Sequence, residues 1–148
     1  MSENVSRETM TVVPVFTYGS LRPNANGASW LLDEASIAGP WPATAEGELY
    51  YHECRAYPVM TCDGNGLVIG NMYLVDENSR EWQWIVNMEL DAGYQMRWHE
   101  VVARQSDGEW ATTKAVVFDW PHGTDGLDRV PGDDWMDATW AEWPEMKG

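Results

Sequence analysis

The stretch Val12-Val13-Pro14-Val15-Phe16-Thr17-Tyr18-Gly19-Ser20-Leu21 decides the fold of this chain. Its first seven residues are mostly β-branched or aromatic, which predicts a strand that ends at Gly19-Ser20. Glycine directly after a buried strand lets the backbone turn sharply and present consecutive N–H groups, which can hold a carboxylate or carbonyl oxygen. A strand that ends in Gly-Ser is more often an ordinary turn, so this stretch alone does not define a site.

Turn residues and hydrophobic periodicity divide the chain beyond this stretch into short elements. A helical pattern places Ala28, Leu31, Leu32 and Ala35 on one face. The segment Gly39-Pro40-Trp41-Pro42 is predicted to break the structure. Four later segments are predicted to be strands: Thr44–Tyr51 and Leu67–Val75 as a meander around the turn at 63–66, and Tyr94–Ala103 and Thr112–Trp120 as a hairpin around 105–108.

A second helix is predicted from about Ser79 to Glu89, because Asn78 followed by Glu81 resembles a capping box. Its periodicity places Glu89 on the same face as Trp82, Ile85 and Val86. A carboxylate in apolar surroundings loses hydration, so its pKa rises toward neutrality and it can both accept and donate a proton. The alternative is that Glu89, at the helix end, reaches water.

Composition excludes several classes of function. Nine Lys and Arg against 24 Asp and Glu give a formal charge of −15, which repels nucleic acid and anionic lipid. No apolar run approaches the roughly 20 residues that cross a bilayer, and no secretory signal is recognisable, so we expect a cytoplasmic protein. Cys54 and Cys62 are expected to be free thiols; with His52, His99 and His122 they show no ligand spacing, so no metal is expected.

Composition also suggests three regions: a flexible arm at 1–10, one domain at 11–121, and an acidic, Trp-rich extension at 122–148. From the end of the domain onward, 121–132 is predicted to be a surface loop and Asp133–Trp143 a short amphipathic helix. The tryptophans of that helix either dock on the domain or form a contact surface for a partner.

Several motifs occur in the order found in one known family. They are Val15 to Leu21, Gly47-Glu48-Leu49-Tyr50, Ala56-Tyr57-Pro58-Val59-Met60, Val68-Ile69-Gly70-Asn71-Met72-Tyr73, Ile85-Val86-Asn87-Met88-Glu89 and Gly93-Tyr94-Gln95-Met96-Arg97. Together they resemble the gamma-glutamylcyclotransferase-like family, also called avirulence-induced-gene-like, from about Val12 to Trp120. This resemblance implies an α+β fold, in which a small mixed β-sheet closes into a barrel-like body with flanking helices.

The resemblance also implies a reaction and its residues. Active members of the family cyclise gamma-glutamyl compounds to 5-oxoproline and need no metal or cofactor. By resemblance, the backbone from Tyr18 through Gly19 and Ser20 to Leu21 holds the substrate's alpha-carboxylate end, and Glu89 is the catalytic acid and base. Val86 stands where the family usually has Asp, which leaves Asp91 as an alternative to Glu89. Tyr94 is expected to line the pocket, or else to pack on the sheet.

Three hypotheses follow for the function. The first is an enzyme that cyclises a gamma-glutamyl amine or peptide. The second is a binding protein that holds a small anionic metabolite in the same pocket without turnover, since one fold can host either role. The third is an interaction protein whose Trp-rich tail is the functional surface. The sequence does not identify the leaving amine or the oligomeric state.

Overall fold

The computed structural model describes residues 11–19, 29–54 and 57–134. Within these residues, the chain forms seven strands, two helices and a 3-10 turn. In chain order they are β1 Val12–Thr17, α1 Ser29–Ala35, β2 Ser36–Glu46, β3 Glu48–Tyr51, β4 Pro58–Thr61, β5 Leu67–Asp76, α2 Arg80–Asp91, β6 Gln95–Arg104, β7 Trp110–Asp119 and the 3-10 turn Pro131–Asp133.

Five of the strands form a closed barrel in the order β1-β5-β2-β6-β7. β1 runs antiparallel to β5, from Val12 opposite Asp76 to Thr17 opposite Asn71. The barrel closes where β1 lies parallel to β7, at Val15. This arrangement confirms the expected α+β fold with a mixed sheet closed into a barrel, and closure removes the open sheet edges of β1 and β7.

The wall of the barrel has no room for a side chain at Gly70 of β5. A Cβ there would meet the Thr17 carbonyl oxygen and lie 2.6 Å from Cζ of Phe16. Glycine within a strand often marks such a close approach of two backbones. Gly70 therefore sets the position of the β1 end that leads into Tyr18.

Replacing Gly70 with Ala is expected to destabilise the fold by about 1–3 kcal/mol, because the obstructing oxygen belongs to backbone and cannot rotate away. Urea unfolding measures this loss. Thr112→Ala is the control, since Thr112 is exposed on β7 and a surface substitution of this kind usually costs less than about 0.5 kcal/mol. Equal costs for the two variants would contradict the close-approach argument.

Two of the predictions are wrong in the region of β2. Gly39-Pro40-Trp41-Pro42 does not break the structure but lies inside β2, with register shifts on either side of Ala38. β2 pairs with β6 only at Ala43–Ala45. Both prolines lie before this segment, where β2 has no neighbour on that side, so the absence of a proline N–H breaks no hydrogen bond to β6. The segment predicted as one strand, Thr44–Tyr51, is divided at Gly47.

The expected meander also differs from the structure. β2 pairs with β5 across the barrel, whereas β3 pairs with β4 in a separate two-stranded sheet. β4 was not predicted as a strand. The hairpin of β6 and β7 forms as expected, with the Gly108 N–H donating to the Gln105 carbonyl in its turn.

The two helices pack against each other and against the barrel. α1 buries Leu31, Leu32 and Ala35 as predicted, whereas Ala28 lies outside the described residues. No helix of the described part of the chain is long and apolar enough to span a membrane.

The start and end of α2 both differ from the prediction. The N-cap is Ser79, not Asn78: the Ser79 hydroxyl accepts a hydrogen bond from the Trp82 N–H, which satisfies a donor of the first turn. Asn78 instead donates its own N–H to the Asp76 carboxylate. The helix continues two residues past Glu89, to Asp91.

Residues 121–134 form mostly irregular structure over the small sheet. The Val130 N–H donates to the Leu49 carbonyl and the Tyr51 N–H donates to the Asp128 carbonyl, each at 2.8 Å. Val130 is buried with the core. Of the helix predicted at Asp133–Trp143, the residues from 135 onward, including the tryptophans, lie outside the described residues, as does the arm at 1–10. The three-region division stays a prediction.

Candidate functional site

The chain directions bring several predicted site residues to one end of the barrel. β1 and β7 are parallel, so Tyr18 and Trp120, which follow them, leave the same end. β6 is antiparallel to β7, so Tyr94, which precedes β6, starts from that end too. The Tyr94 N–H donates to the Glu89 carbonyl, which joins the last turn of α2 to the same place.

Two buried tyrosine hydroxyls are fixed at this end. The Tyr18 hydroxyl donates to the Phe118 carbonyl at 2.6 Å. The Tyr94 hydroxyl donates to the Pro58 carbonyl at 2.5 Å. The two tyrosine side chains also interact with each other through a hydrogen bond, and Tyr18 has a further hydrogen bond to the backbone of Met60, so both hydroxyls are fixed in position.

Glu89 lies beside these hydroxyls. Burial raises the pKa of Glu89 to about 7. The pKa values of Tyr18 and Tyr94 are raised as well, first by burial and then, in part, by the nearby charge of Glu89. Among the described residues no Lys, Arg or His forms an ion pair with Glu89, so the desolvation is not offset there by a cation.

A second carboxylate, that of Asp119, is buried but has a hydrogen-bond partner on each oxygen. Asp119 accepts the Cys62 N–H at 3.0 Å on one oxygen and the Gln95 side-chain amide at 2.9 Å on the other. Its partners explain its burial, and it ties the end of β7 to β6 and to the segment after β4. Asp119 therefore holds the structure together.

Asp91, the alternative to Glu89, is exposed at the last residue of α2. The raised pKa values of Tyr18 and Tyr94 reflect the charge of Glu89 and not that of Asp91. The geometry therefore favours Glu89 as the carboxylate of this site, although its catalytic role stays a prediction.

The predicted anion cradle is only partly described. Gly19 lies so close to Pro58 that a Cβ would be 2.8 Å from Cγ of the proline, so its backbone is held against β4. The Pro58 carbonyl in turn accepts from Tyr94. Ser20 and Leu21 lie outside the described residues, so their predicted role remains a prediction.

A cluster of rings, which we call the aromatic wall, adjoins Tyr94 and was missed by the sequence analysis. Its members are His52, Tyr57, Trp120 and His122. Trp120 meets Tyr94 edge to face at 5.3 Å, and Tyr57 lies 6.3 Å from Tyr94, measured between ring centroids. Tyr57 belongs to the motif Ala56-Tyr57-Pro58-Val59-Met60, but no pattern in the sequence places the other three rings beside it.

The arrangement as a whole can move a proton next to a surface lined by aromatic rings. A carboxyl group with a pKa of about 7 is nearly half ionised at neutral pH, so it can take a proton and return it within one reaction cycle. In the described part of the chain no three His, Cys, Asp or Glu side chains converge as metal ligands would.

Comparisons with known proteins agree with this fold. Residues 15–137 match the family model described as gamma-glutamyl cyclotransferase, AIG2-like. No curated protein matches the chain at a significant level.

Three similar solved structures illustrate the likeness. An uncharacterized protein from Pyrococcus horikoshii has 23% identity and a TM-score of 0.61, over 88% of this chain and 95% of the other. An AIG2-like protein from Mus musculus has 18% identity and a TM-score of 0.59, over 81% and 96%. A protein from Arabidopsis thaliana has 19% identity and a TM-score of 0.61, over 94% and 87%. At these identities the likeness establishes the fold alone.

Proposed function

This chain belongs to the AIG2-like gamma-glutamyl cyclotransferase family, and from that premise we propose that it cyclises a gamma-glutamyl amine or peptide to 5-oxoproline and releases the amine. Family membership supports a gamma-glutamyl cyclotransferase-like function in general. The reaction, its substrate class and the role of Glu89 are our proposal.

In the proposed reaction, the alpha-amine of the substrate attacks its own gamma-carbonyl carbon. The new C–N bond closes a five-membered ring, and the attacking nitrogen loses a proton to Glu89. The carbonyl oxygen becomes an oxyanion in the tetrahedral intermediate. A substrate held folded back on itself reacts faster because the two reacting groups are already together.

In the second step the intermediate collapses and the original gamma C–N bond breaks. The protonated Glu89 donates its proton to the leaving amine, so Glu89 returns to its starting state. The substrate's alpha-carboxylate would be held by backbone N–H groups at Gly19 and its neighbours Ser20 and Leu21. The surrounding wall, with Tyr18 and Tyr94, would exclude water and so strengthen these polar contacts.

A single observation carries the proposal: Glu89 has its pKa raised to about 7 by burial beside the two tyrosines that meet the end of β1. A carboxylate that served only as a surface charge would keep ordinary hydration. A pKa near the working pH is what one residue needs to serve both proton steps.

The test is incubation of the protein with a panel of gamma-glutamyl amines and dipeptides, with 5-oxoproline as the measured product. Turnover of at least one of them is expected. The matched controls are the alpha-glutamyl isomers, whose scissile carbonyl the alpha-amine could reach only through a three-membered ring. They are expected to give no amine release.

Two outcomes would count against the proposal. Release from the alpha-glutamyl isomers at the same rate would indicate ordinary hydrolysis. Tight binding of a gamma-glutamyl compound without product would favour the binding protein of the second hypothesis.

A further inference from the structure

The two cysteines of this chain differ in the access that solvent has to them. Cys62 is buried, and its pKa is raised to about 12, first by burial and then by the nearby Asp119. Cys54 is exposed in the segment after β3. A buried thiol with a raised pKa is inert, whereas an exposed one can meet an electrophile.

Cys54 is paired with a base. Its sulfur lies 3.1 Å from Nδ1 of His52. The Cys54 backbone N–H donates to the same nitrogen at 3.2 Å, which identifies Nδ1 as the unprotonated nitrogen of the ring. Nδ1 therefore carries the lone pair that can accept the thiol proton, and the sulfur and the Cys54 N–H share this one acceptor.

Two other members of the aromatic wall hold the His52 imidazole in place. His52 stacks on Tyr57, with ring centroids 4.4 Å apart and planes inclined by 24°. It meets Trp120 edge to face at 5.4 Å. A base fixed between two rings keeps its orientation toward the thiol, as a nucleophile and base pair requires.

The thiol also borders the candidate site. Burial raises the pKa of Tyr57, and the charges of Cys54 and then Glu89 add to the shift, so both groups are near its hydroxyl. Tyr94 responds to the charges of Glu89 and Cys54 in the same way. The ring contacts agree with this: His52, which contacts the Cys54 sulfur, stacks on Tyr57, and Tyr57 lies 6.3 Å from Tyr94. A group attached to the sulfur would therefore lie next to the rings that border Glu89.

We propose that Cys54, with His52 as its proton acceptor, is a thiol–disulfide exchange site for low-molecular-weight disulfides, and that the mixed disulfide blocks the Glu89 site. Nδ1 of His52 takes the thiol proton as the sulfur attacks one sulfur of the disulfide. A new S–S bond forms, the original S–S bond breaks, and the leaving thiolate takes up the proton. Cys54 is oxidised and half of the reagent is reduced to a thiol; excess thiol reverses the exchange.

The first experiment measures labelling of the folded protein by 2-hydroxyethyl disulfide, a neutral probe that the net charge of −15 does not repel. Peptide mass spectrometry is expected to find the adduct on Cys54, with Cys62 as the internal control, and dithiothreitol is expected to remove it. No adduct, or equal labelling of Cys62 in the folded state, would overturn the proposal.

Two variants test the role of His52. His52→Asn keeps an acceptor for the Cys54 N–H but removes the basicity, and His52→Phe keeps a ring to stack on Tyr57. Each is expected to slow labelling of Cys54 at neutral pH by several-fold and at most about 30-fold, because an unassisted thiol is already a few per cent thiolate at that pH. Labelling at the parental rate in both folded variants would show that His52 is not the base.

The expectation that the mixed disulfide blocks the Glu89 site rests on the proposed function, whereas the expectation that Cys54 is labelled does not. The modified protein is expected to lose 5-oxoproline formation and to regain it after reduction. Cys54→Ser treated with the probe is expected to keep the turnover it had before treatment. Full turnover of the quantitatively modified protein would overturn the block. If the parental protein turns over no gamma-glutamyl compound, the proposed function fails, and labelling alone still decides the exchange site.

Discussion

Replacing Glu89 with Gln is expected to lower kcat for 5-oxoproline formation by about 10²-fold or more, with a much smaller change in KM. Gln keeps the size and hydrogen-bonding reach of the side chain but cannot transfer the proton. Substrate binding should persist, because the proposed contacts of the alpha-carboxylate are to backbone around Gly19. Steady-state kinetics on the best substrate of the panel, with binding measured by calorimetry, separates the two effects.

Asp91→Asn is the matched control for this substitution. Asp91 lies on the same helix two residues later and is exposed, so its variant is expected to turn over at the parental rate. If Asp91→Asn lost the activity and Glu89→Gln retained it, the proton would be carried by Asp91.

The stability of the parental protein is expected to fall relative to that of Glu89→Gln as the pH rises from about 4.5 to 7. The pKa of Glu89 is raised from 4.5 to about 7. Between these values the folded state keeps a proton that the unfolded state releases, so the stabilisation is present below the lower pKa and is lost as pH rises through the higher one. At about 1.4 kcal/mol per pKa unit, the upper limit of the loss is about 3.5 kcal/mol.

Urea unfolding of both proteins at pH 5 and pH 8 measures this difference. From pH 5 to pH 8, the free energy of unfolding of Glu89→Gln is expected to rise relative to that of the parental protein, because a neutral amide has no charge to desolvate. Contributions of the other carboxylates cancel in the comparison. Asp91→Asn should show no such gain, and a difference between Glu89→Gln and the parental protein that stays constant with pH would contradict the burial of an ionisable Glu89.

Local patterns predicted the elements that carry the site. The run of β-branched and aromatic residues before Gly19 predicted β1, which forms from Val12 to Thr17. The spacing of Trp82, Ile85 and Glu89 predicted a helix with Glu89 on its inward side, and the partial burial of Glu89 agrees with that spacing. Such patterns succeed because they depend on backbone period alone.

Local patterns failed where pairing partners decided the outcome. The prolines at 40 and 42 look like breakers, yet β2 passes through them because that part of the strand lacks a second neighbour. Ser79 capped α2 in place of Asn78, since both residues are good caps and only the observed backbone selects between them.

By itself, the sequence determined most of the strands and the two helices of the described residues, and that a carboxylate at position 89 shares a face with apolar residues. Only the tertiary structure decided what surrounds that carboxylate. The Tyr18 hydroxyl reaches Phe118 across 100 residues and Tyr94 reaches Pro58 across 36, while the His52 and Cys54 pair meets the site through Tyr57. Neighbours of this kind depend on barrel closure and strand register, because non-local pairing brings together residues whose separation in sequence carries no periodic signal.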